Sequence, residues 1–381
     1  MSRSCLTNFL RRTVLSGHLT IQEYFDIILN GCLKKFYIHL IFRILFKMEK
    51  KLNYDVLRMV FKYLSGPDLS NAAQVCRSWL GAANDENKTR GPLCIIRSRK
   101  RTEAPFISDD IKREMIECLV IKPTLSMFFE ALEKEESPSE SCHCKNIPNN
   151  STSVSVTMFN SLMKEEDQII GTFFPKIPNV EILTLTFNKL PSINGIYIEE
   201  LKLLVDTCFY NAEQLKPAFE VPFNEDFHKT SCLILFYKYF HYSFFLPLDL
   251  LKCLKNWFPY AKTSIWGGGV KKLSVCSSLN NSSVCKSNVE CVTILISGNE
   301  MQTWSLCLDQ SCDTEEKIED KFKVFKDVVK FKKHSVAFMF TSDIRGSFLY
   351  NLESTIFKRF FPTISLVEYF GNNAFGGEIF Q

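Results

Sequence analysis

Two short apolar helices joined by a Ser-Gly-Pro break, lying between Leu52 and Trp79, restrict what this chain can fold into more than any other stretch of it. Val56, Val60 and Leu64 recur every fourth residue with Leu57 and Phe61 beside them, which makes one face of the first helix an apolar stripe. Gly66 and Pro67 end that helix. Asp68 is placed to cap a second, whose apolar positions are Leu69, Ala72, Ala73, Val75, Cys76 and Trp79. A segment this short cannot bury so much apolar surface alone, so a partner surface is expected to cover it.

The 381 residues leave room for two or three domains, and a hydrophobic content of 46% marks a chain that is mostly folded. Its 46 basic and 42 acidic side chains nearly balance at a net +4, which argues against a nucleic-acid-binding footprint. The 34 phenylalanines suit an aromatic-rich core better than a platform for stacked bases. Fifteen cysteines, odd in number, scattered and without a signal peptide, read as reduced thiols of a cytoplasmic or nuclear protein. On that reading the sequons at Asn150 and Asn281 carry no weight. Residues 1–47 hold Arg11-Arg12 and an apolar run from Phe36 to Phe46 interrupted by His39 and Arg43, too short and too charged to span a bilayer. Met48, just before Glu49-Lys50-Lys51, is expected to be the true start, leaving 1–47 as an extension of no obvious role.

Beyond Trp79, the polar run 84–92 reads as a linker, and Cys94-Ile95-Ile96 as a first strand followed by the basic residues Arg97, Arg99, Lys100 and Arg101. Ser108, with Asp109 and Asp110 in the first turn, opens an amphipathic helix carrying Ile111, Met115, Ile116 and Leu119. Leu119-Val120-Ile121 and Leu125 to Phe129 read as strand material, and 133–150 as a polar insertion. Phe173 to Phe187 reads as one buried strand and Cys232 to Phe236 as a central one. A helix from Leu248 to Phe258 then leads through Ile265-Trp266 into a turn at Gly267-Gly268-Gly269. Glu290 to Ile296 and Met301 to Leu308 read as a hairpin. Asp313 with Glu316 is expected to cap a helix carrying Ile318, Phe322, Phe325 and Val329. A strand at Val336 to Phe340 and a helix at Ser354 to Phe361 complete the series, with no repeat at a solenoid period.

The order Leu52, Val56-Leu57, Val60-Phe61, Leu64, Asp68-Leu69, Val75-Cys76-Arg77 and Trp79 resembles an F-box, with Asn53 where that motif usually has proline and Asp55 where it has glutamate. The resemblance implies docking on the Skp-family adaptor of a cullin-RING ubiquitin ligase. The adaptor contacts would be Leu52, Val56, Leu57, Val60, Phe61, Leu64, Leu69, Val75 and Trp79. The C-terminal part, with His334 to Phe340, Arg345-Gly346, Phe357 to Pro362 and Tyr369 to Asn372, resembles the FIST C-terminal domain carried by the F-box only protein 22 family. That resemblance implies a region at 93–381 that recruits substrate or senses a small ligand, with Gly267, Gly268, Gly269, Arg345 and Gly346 as a ligand or substrate turn. Ser342 stands where the family usually has cysteine and Ile344 where it has glycine, and further strands would be expected beyond Gln381, so a truncated C-terminal domain is anticipated.

Chemistry-bearing clusters are sparse. Cys142-His143-Cys144 lies in the polar insertion and lacks the second ligand pair a zinc site needs, and Cys276, Cys285 and Cys291 form no CxxC pair. There is no P-loop, no G-x-S-x-G elbow and no dinucleotide fingerprint. Asp343 is placed to pair with Arg345. The expectation is therefore an α+β chain: an extension at 1–47, a helical F-box at 48–83, a linker at 84–92 and a mixed domain at 93–381. It would act as the non-catalytic substrate receptor of a Skp-cullin-F-box ubiquitin ligase that marks target proteins for proteasomal degradation, with no cofactor, metal, nucleic acid or membrane partner. The alternative is a FIST-like small-ligand sensor whose degenerate F-box engages no ligase.

Overall fold

The computed structural model describes residues 54–100, 108–131, 147–158, 166–187, 230–238, 263–279, 282–287, 289–299, 301–342, 345 and 347–378. Within these the chain is α+β: a unit of three helices, then a domain built on two sheets. Leu52, the Cys142-His143-Cys144 cluster, the expected helix from Leu248 to Phe258, Asp343 and Gly346 lie outside the described residues.

Helix α1 spans Tyr54–Phe61 and α2 spans Gly66–Ala72, while a separate α3 covers Arg77–Thr89. The expected second helix is thus two. The cap of α2 is Ser65, whose Oγ accepts from the backbone N–H of Asp68 at 3.2 Å and donates to that carboxylate at 2.6 Å, so Asp68 sits inside the first turn. Gly66 and Pro67 open α2 rather than merely closing α1, because the missing N–H of proline is harmless in a first turn. The polar run expected as a linker is largely helical, since α3 continues through Thr89.

The sheet domain consists of β1 (Leu93–Lys100), α4 (Ser108–Glu117), β2 (Pro123–Ala131), β3 (Ser151–Thr157), β4 (Glu166–Pro175), β5 (Val180–Phe187) and β6 (Thr230–Lys238). There follow β7 (Thr263–Val270), β8 (Lys272–Leu279), β9 (Ser282–Lys286), β10 (Cys291–Gly298), α5 (Glu315–Val328), β11 (Val336–Ser342), α6 (Ser347–Phe360) and β12 (Ser365–Glu378). One sheet runs β1-β4-β2-β3-β8-β9 and the other β11-β12-β7-β6-β10-β5. The main core lies between them, with Leu125, Met127 and Phe129 of β2 and Val154 and Val156 of β3 meeting Ile234 and Phe236 of β6, Ile294 of β10 and Tyr369 of β12. Strand alternation then places Phe128 and Glu130 on the opposite face of β2, under α4. There Met115 and Ile116 cover Phe128, Ile169 and Phe173, and the buried Lys112 ammonium lies 2.5 Å from Glu130. Ser108, expected as a helix cap, donates to that same carboxylate at 2.6 Å. On the other outer face, α5 and α6 join Ile318, Phe322, Ile356 and Phe357 to Leu366.

Several expected elements differ. Leu119 to Ile121 is a turn, and it receives the helical unit. The run from Phe173 to Phe187 is two strands in different sheets, β4 and β5, because the largely exposed residues between Pro175 and Val180 carry the chain from one sheet to the other. Strand β10 forms no hairpin with Met301 to Leu308: β5 and β6 already occupy both of its edges, and the following stretch is held instead by Ser305, which accepts from the Trp266 indole N–H at 3.2 Å. The cap of α5 is Thr314, while Asp313 pairs with Lys317 at 2.7 Å.

Candidate adaptor-docking unit and its junction

The apolar stripe of α1 folds inward. Leu57, Val60, Phe61, Leu64, Leu69 and Trp79 are all buried, joined by Ala72, Ala82 and Ala83 in one cluster, and the Phe61 and Trp79 rings meet edge-on at 5.4 Å. Val56 and Val75 are half-buried. The third helix supplies the partner surface that the short segment lacked, so these six side chains are the core of the unit, not knobs standing on its surface. What the unit leaves outside is Met59 (46% exposed), Tyr63 (41%) and Leu80 (44%). Met59 on α1 and Tyr63 in the turn just after it are four residues apart and flank the buried stripe.

A polar contact ties α1 to α3. The Tyr54 hydroxyl donates to Asp85 at 2.5 Å, and Lys88 lies 3.1 Å from the same carboxylate. The hydrogen bond from Tyr54, followed by that from Lys88, holds the Asp85 carboxyl below its ordinary range.

The unit is fastened to the sheet domain at one corner. Arg90, just past α3, donates to the backbone oxygen of Phe61 at 2.6 Å and to that of Val120, and pairs with the buried Glu86 at 3.1 Å. Gly66 completes the junction: its N–H donates to the Leu119 oxygen at 3.0 Å, and a Cβ there would lie 2.6 Å from the oxygen of Ile121. Glu86 and Arg90 are an i, i+4 pair inside the run read as a linker, a signal visible in the sequence once that run is taken as helix.

The other expected site does not assemble. Gly267, Gly268 and Gly269 form no turn but lie buried in β7, between β6 and β12. A Cβ on Gly267 would overlap the backbone oxygen of Leu235, and one on Gly268 would stand 2.9 Å from the Tyr369 ring. The Tyr369 hydroxyl, buried and with its pKa driven well up by desolvation, donates to the Gly269 oxygen at 2.8 Å. The glycines thus admit neighbouring strands and a tyrosine. Arg345 pairs with Glu353 at 2.6 Å, and its other nitrogens donate to the backbone oxygens of Asp309 and Cys312, each at 2.7 Å. Burial raises the Glu353 pKa and Arg345 partly opposes that rise. Arg345 is therefore a brace between α6 and the loop before α5. Among the described residues no group of His, Cys, Asp and Glu is arranged to hold a metal, and no helix is long and apolar enough to cross a membrane.

Residues 54–88 match the F-box-like family model. F-box/SPRY domain-containing protein 1 of Drosophila melanogaster and that of Drosophila erecta are each 54% identical to the chain over 35 residues, and that of Drosophila yakuba is 51% identical over the same length. The matched stretch is 9% of this chain and 14% of each relative. An F-box-like domain therefore stands at 54–88, with a sheet-rich domain following it.

Proposed function

We propose that this chain is the substrate-recognition subunit of a Skp-cullin-F-box ubiquitin ligase, acting in the cytoplasm, the nucleus or both. Its helical unit would dock on the Skp-family adaptor, and its sheet domain would present target proteins for ubiquitination and proteasomal degradation. The observation that carries this reading is the F-box-like unit at 54–88, complete with its own buried core and braced to a separate domain through Arg90. Such a brace holds a bound target at a set orientation to the ligase, whereas a flexible tether would not. The chain itself contributes no chemistry to this role: ubiquitin transfer belongs to the enzymes the scaffold assembles. In this proposal the docking face is Met59, Tyr63 and Leu80 with the half-buried Val56 and Val75, backed by Leu57, Val60, Phe61, Leu64, Leu69 and Trp79. Correspondence of 93–381 to a FIST-like region belongs to the same proposal, supported by the matching residues in β11, α6 and β12.

Co-purification of the full chain with a Skp-family adaptor and cullin tests it. Capture is expected for the wild type, with loss in the variant Met59→Asp, Tyr63→Asp, Leu80→Asp while hydrogen exchange in α1 and α3 stays unchanged. Capture by that folded variant would reject the docking face. Absence of capture by the wild type, together with thermal stabilisation by a small ligand, would favour the sensor reading. The burial of Gly267 to Gly269 in β7 removes the turn expected to take either a ligand or a substrate.

A further inference from the structure

Strand β9 is the outermost strand of its sheet, and the antiparallel register sets its Cys285 directly opposite Cys276 of β8. The two Sγ atoms lie 3.3 Å apart. Cys276 is 1% exposed, whereas Cys285 is open to solvent. Residues directly opposed in an antiparallel pair have Cβ atoms about 4.5–5.5 Å apart, and a disulfide needs about 3.5–4.5 Å with sulfurs at about 2.05 Å. A shift of roughly 1 Å therefore brings the thiols to bonding distance. An edge strand can make that shift, because its ladder hydrogen bonds run to one neighbour only.

We propose that Cys276 and Cys285 form a reversible oxidation site whose oxidant is a peroxide. Cys285 meets the reagent first because it is the exposed thiol. As thiolate it attacks one peroxide oxygen, forming an S–O bond as the O–O bond breaks. With hydrogen peroxide the leaving hydroxide takes up a proton and departs as water, and Cys285 is left as a sulfenic acid. The Cys276 sulfur then attacks that sulfur, the S–S bond forms, the S–O bond breaks, and hydroxide leaves with the thiol proton as a second water. Two thiols have lost two electrons and two protons, and the peroxide has gained both. Exchange with a dithiol reverses the reaction.

The bond changes how the open edge of the sandwich is held. Lys286, next to Cys285, donates to the Thr186 hydroxyl on β5, the edge strand of the other sheet, at 2.9 Å. In the reduced state β9 is held to β8 by ladder hydrogen bonds. In the oxidised state it is tied covalently, and the contact to β5 is anchored through it.

The test treats the full-length reduced chain with hydrogen peroxide, then maps thiols by mass spectrometry of a non-reducing digest. The expected product is a peptide pair joined through Cys276 and Cys285, two hydrogens lighter and released by dithiothreitol. Amide exchange at 283–286 should slow by about tenfold. Because Cys285 is exposed, Cys285→Ser keeps the fold; it should yield no cross-link and leave Cys276 unmodified. Cys276→Ala should stop at a Cys285 sulfenic acid trapped by dimedone. Oxidation of wild-type Cys285 without the cross-link, pairing with another cysteine, or no reaction at Cys285 in folded protein would each overturn the proposal.

Discussion

The helical unit and the sheet domain solve the same problem, burying apolar side chains without stranding backbone polar groups, over very different stretches of chain. In the unit, Phe61 and Trp79 close a core whose members all fall between Leu57 and Ala83, and the backbone donors inside its helices find their acceptors a turn away. In the sheet domain, the Tyr369 hydroxyl reaches Gly269, a hundred residues earlier, and β6 lies beside β10 rather than beside the strand before it. Local closure makes the first region an independent module with one small core. Non-local closure makes the second depend on every strand arriving in register. Among the described residues, the corner at Arg90 and Gly66 joins the two through polar contacts, and the two core clusters stay separate.

The sharpest test of that independence is Phe61→Asp. An unpaired carboxylate in place of a buried ring should cost about 4 kcal/mol, enough to unfold the helical unit. Hydrogen exchange is expected to collapse in α1 to α3 while β2 and β6 stay protected; simultaneous loss of protection in both regions would break the comparison. The converse test is Gly267→Ala, which sets a methyl group against the backbone oxygen of Leu235 and should destabilise the sheet domain by about 3 kcal/mol. Urea unfolding followed by exchange should show the loss there and not in the helices.

Removing the brace should have a middling effect. Arg90→Ala leaves Glu86 buried without its cation and takes one donor each from the Phe61 and Val120 backbone oxygens, for a loss of about 2 kcal/mol. Faster exchange of the Gly66 amide, with both cores intact, would mark the corner as a junction. The smallest effect concerns acid. Asp85 is depressed in the folded chain, so below its unfolded value the unfolded state binds more protons. The stability this contributes is present above that value and is lost as pH falls through the folded one. Tyr54→Phe removes the largest cause, and should flatten the acid limb of the helical unit's unfolding below about pH 4.

Much of the helical unit was legible because its signals are local. The stripe at Val56, Val60 and Leu64 marks a helix, and Ser65-Gly66-Pro67 marks a break, wherever the segment is placed. What the stripe faces was not legible. The polar residues 84–89 conceal a third helix whose Trp79, Ala82 and Ala83 cover it from within, and this turned expected docking residues into core. The glycine triplet misled for a related reason. Glycine marks a turn and a close strand approach equally well, and only the positions of Leu235 and Tyr369 tell them apart.

The sequence by itself determined that residues 52–79 carry an F-box-like pair of apolar helix faces and that the later apolar runs are mostly strands, because helix and strand periods are written in adjacent residues. Only the tertiary structure decided that Phe173 to Phe187 belongs to two sheets, that Arg345 braces Glu353, and that Cys276 faces Cys285. Those are matters of register between distant segments. Register is chosen by the fit of whole faces across a shared core, which no window of neighbouring residues contains.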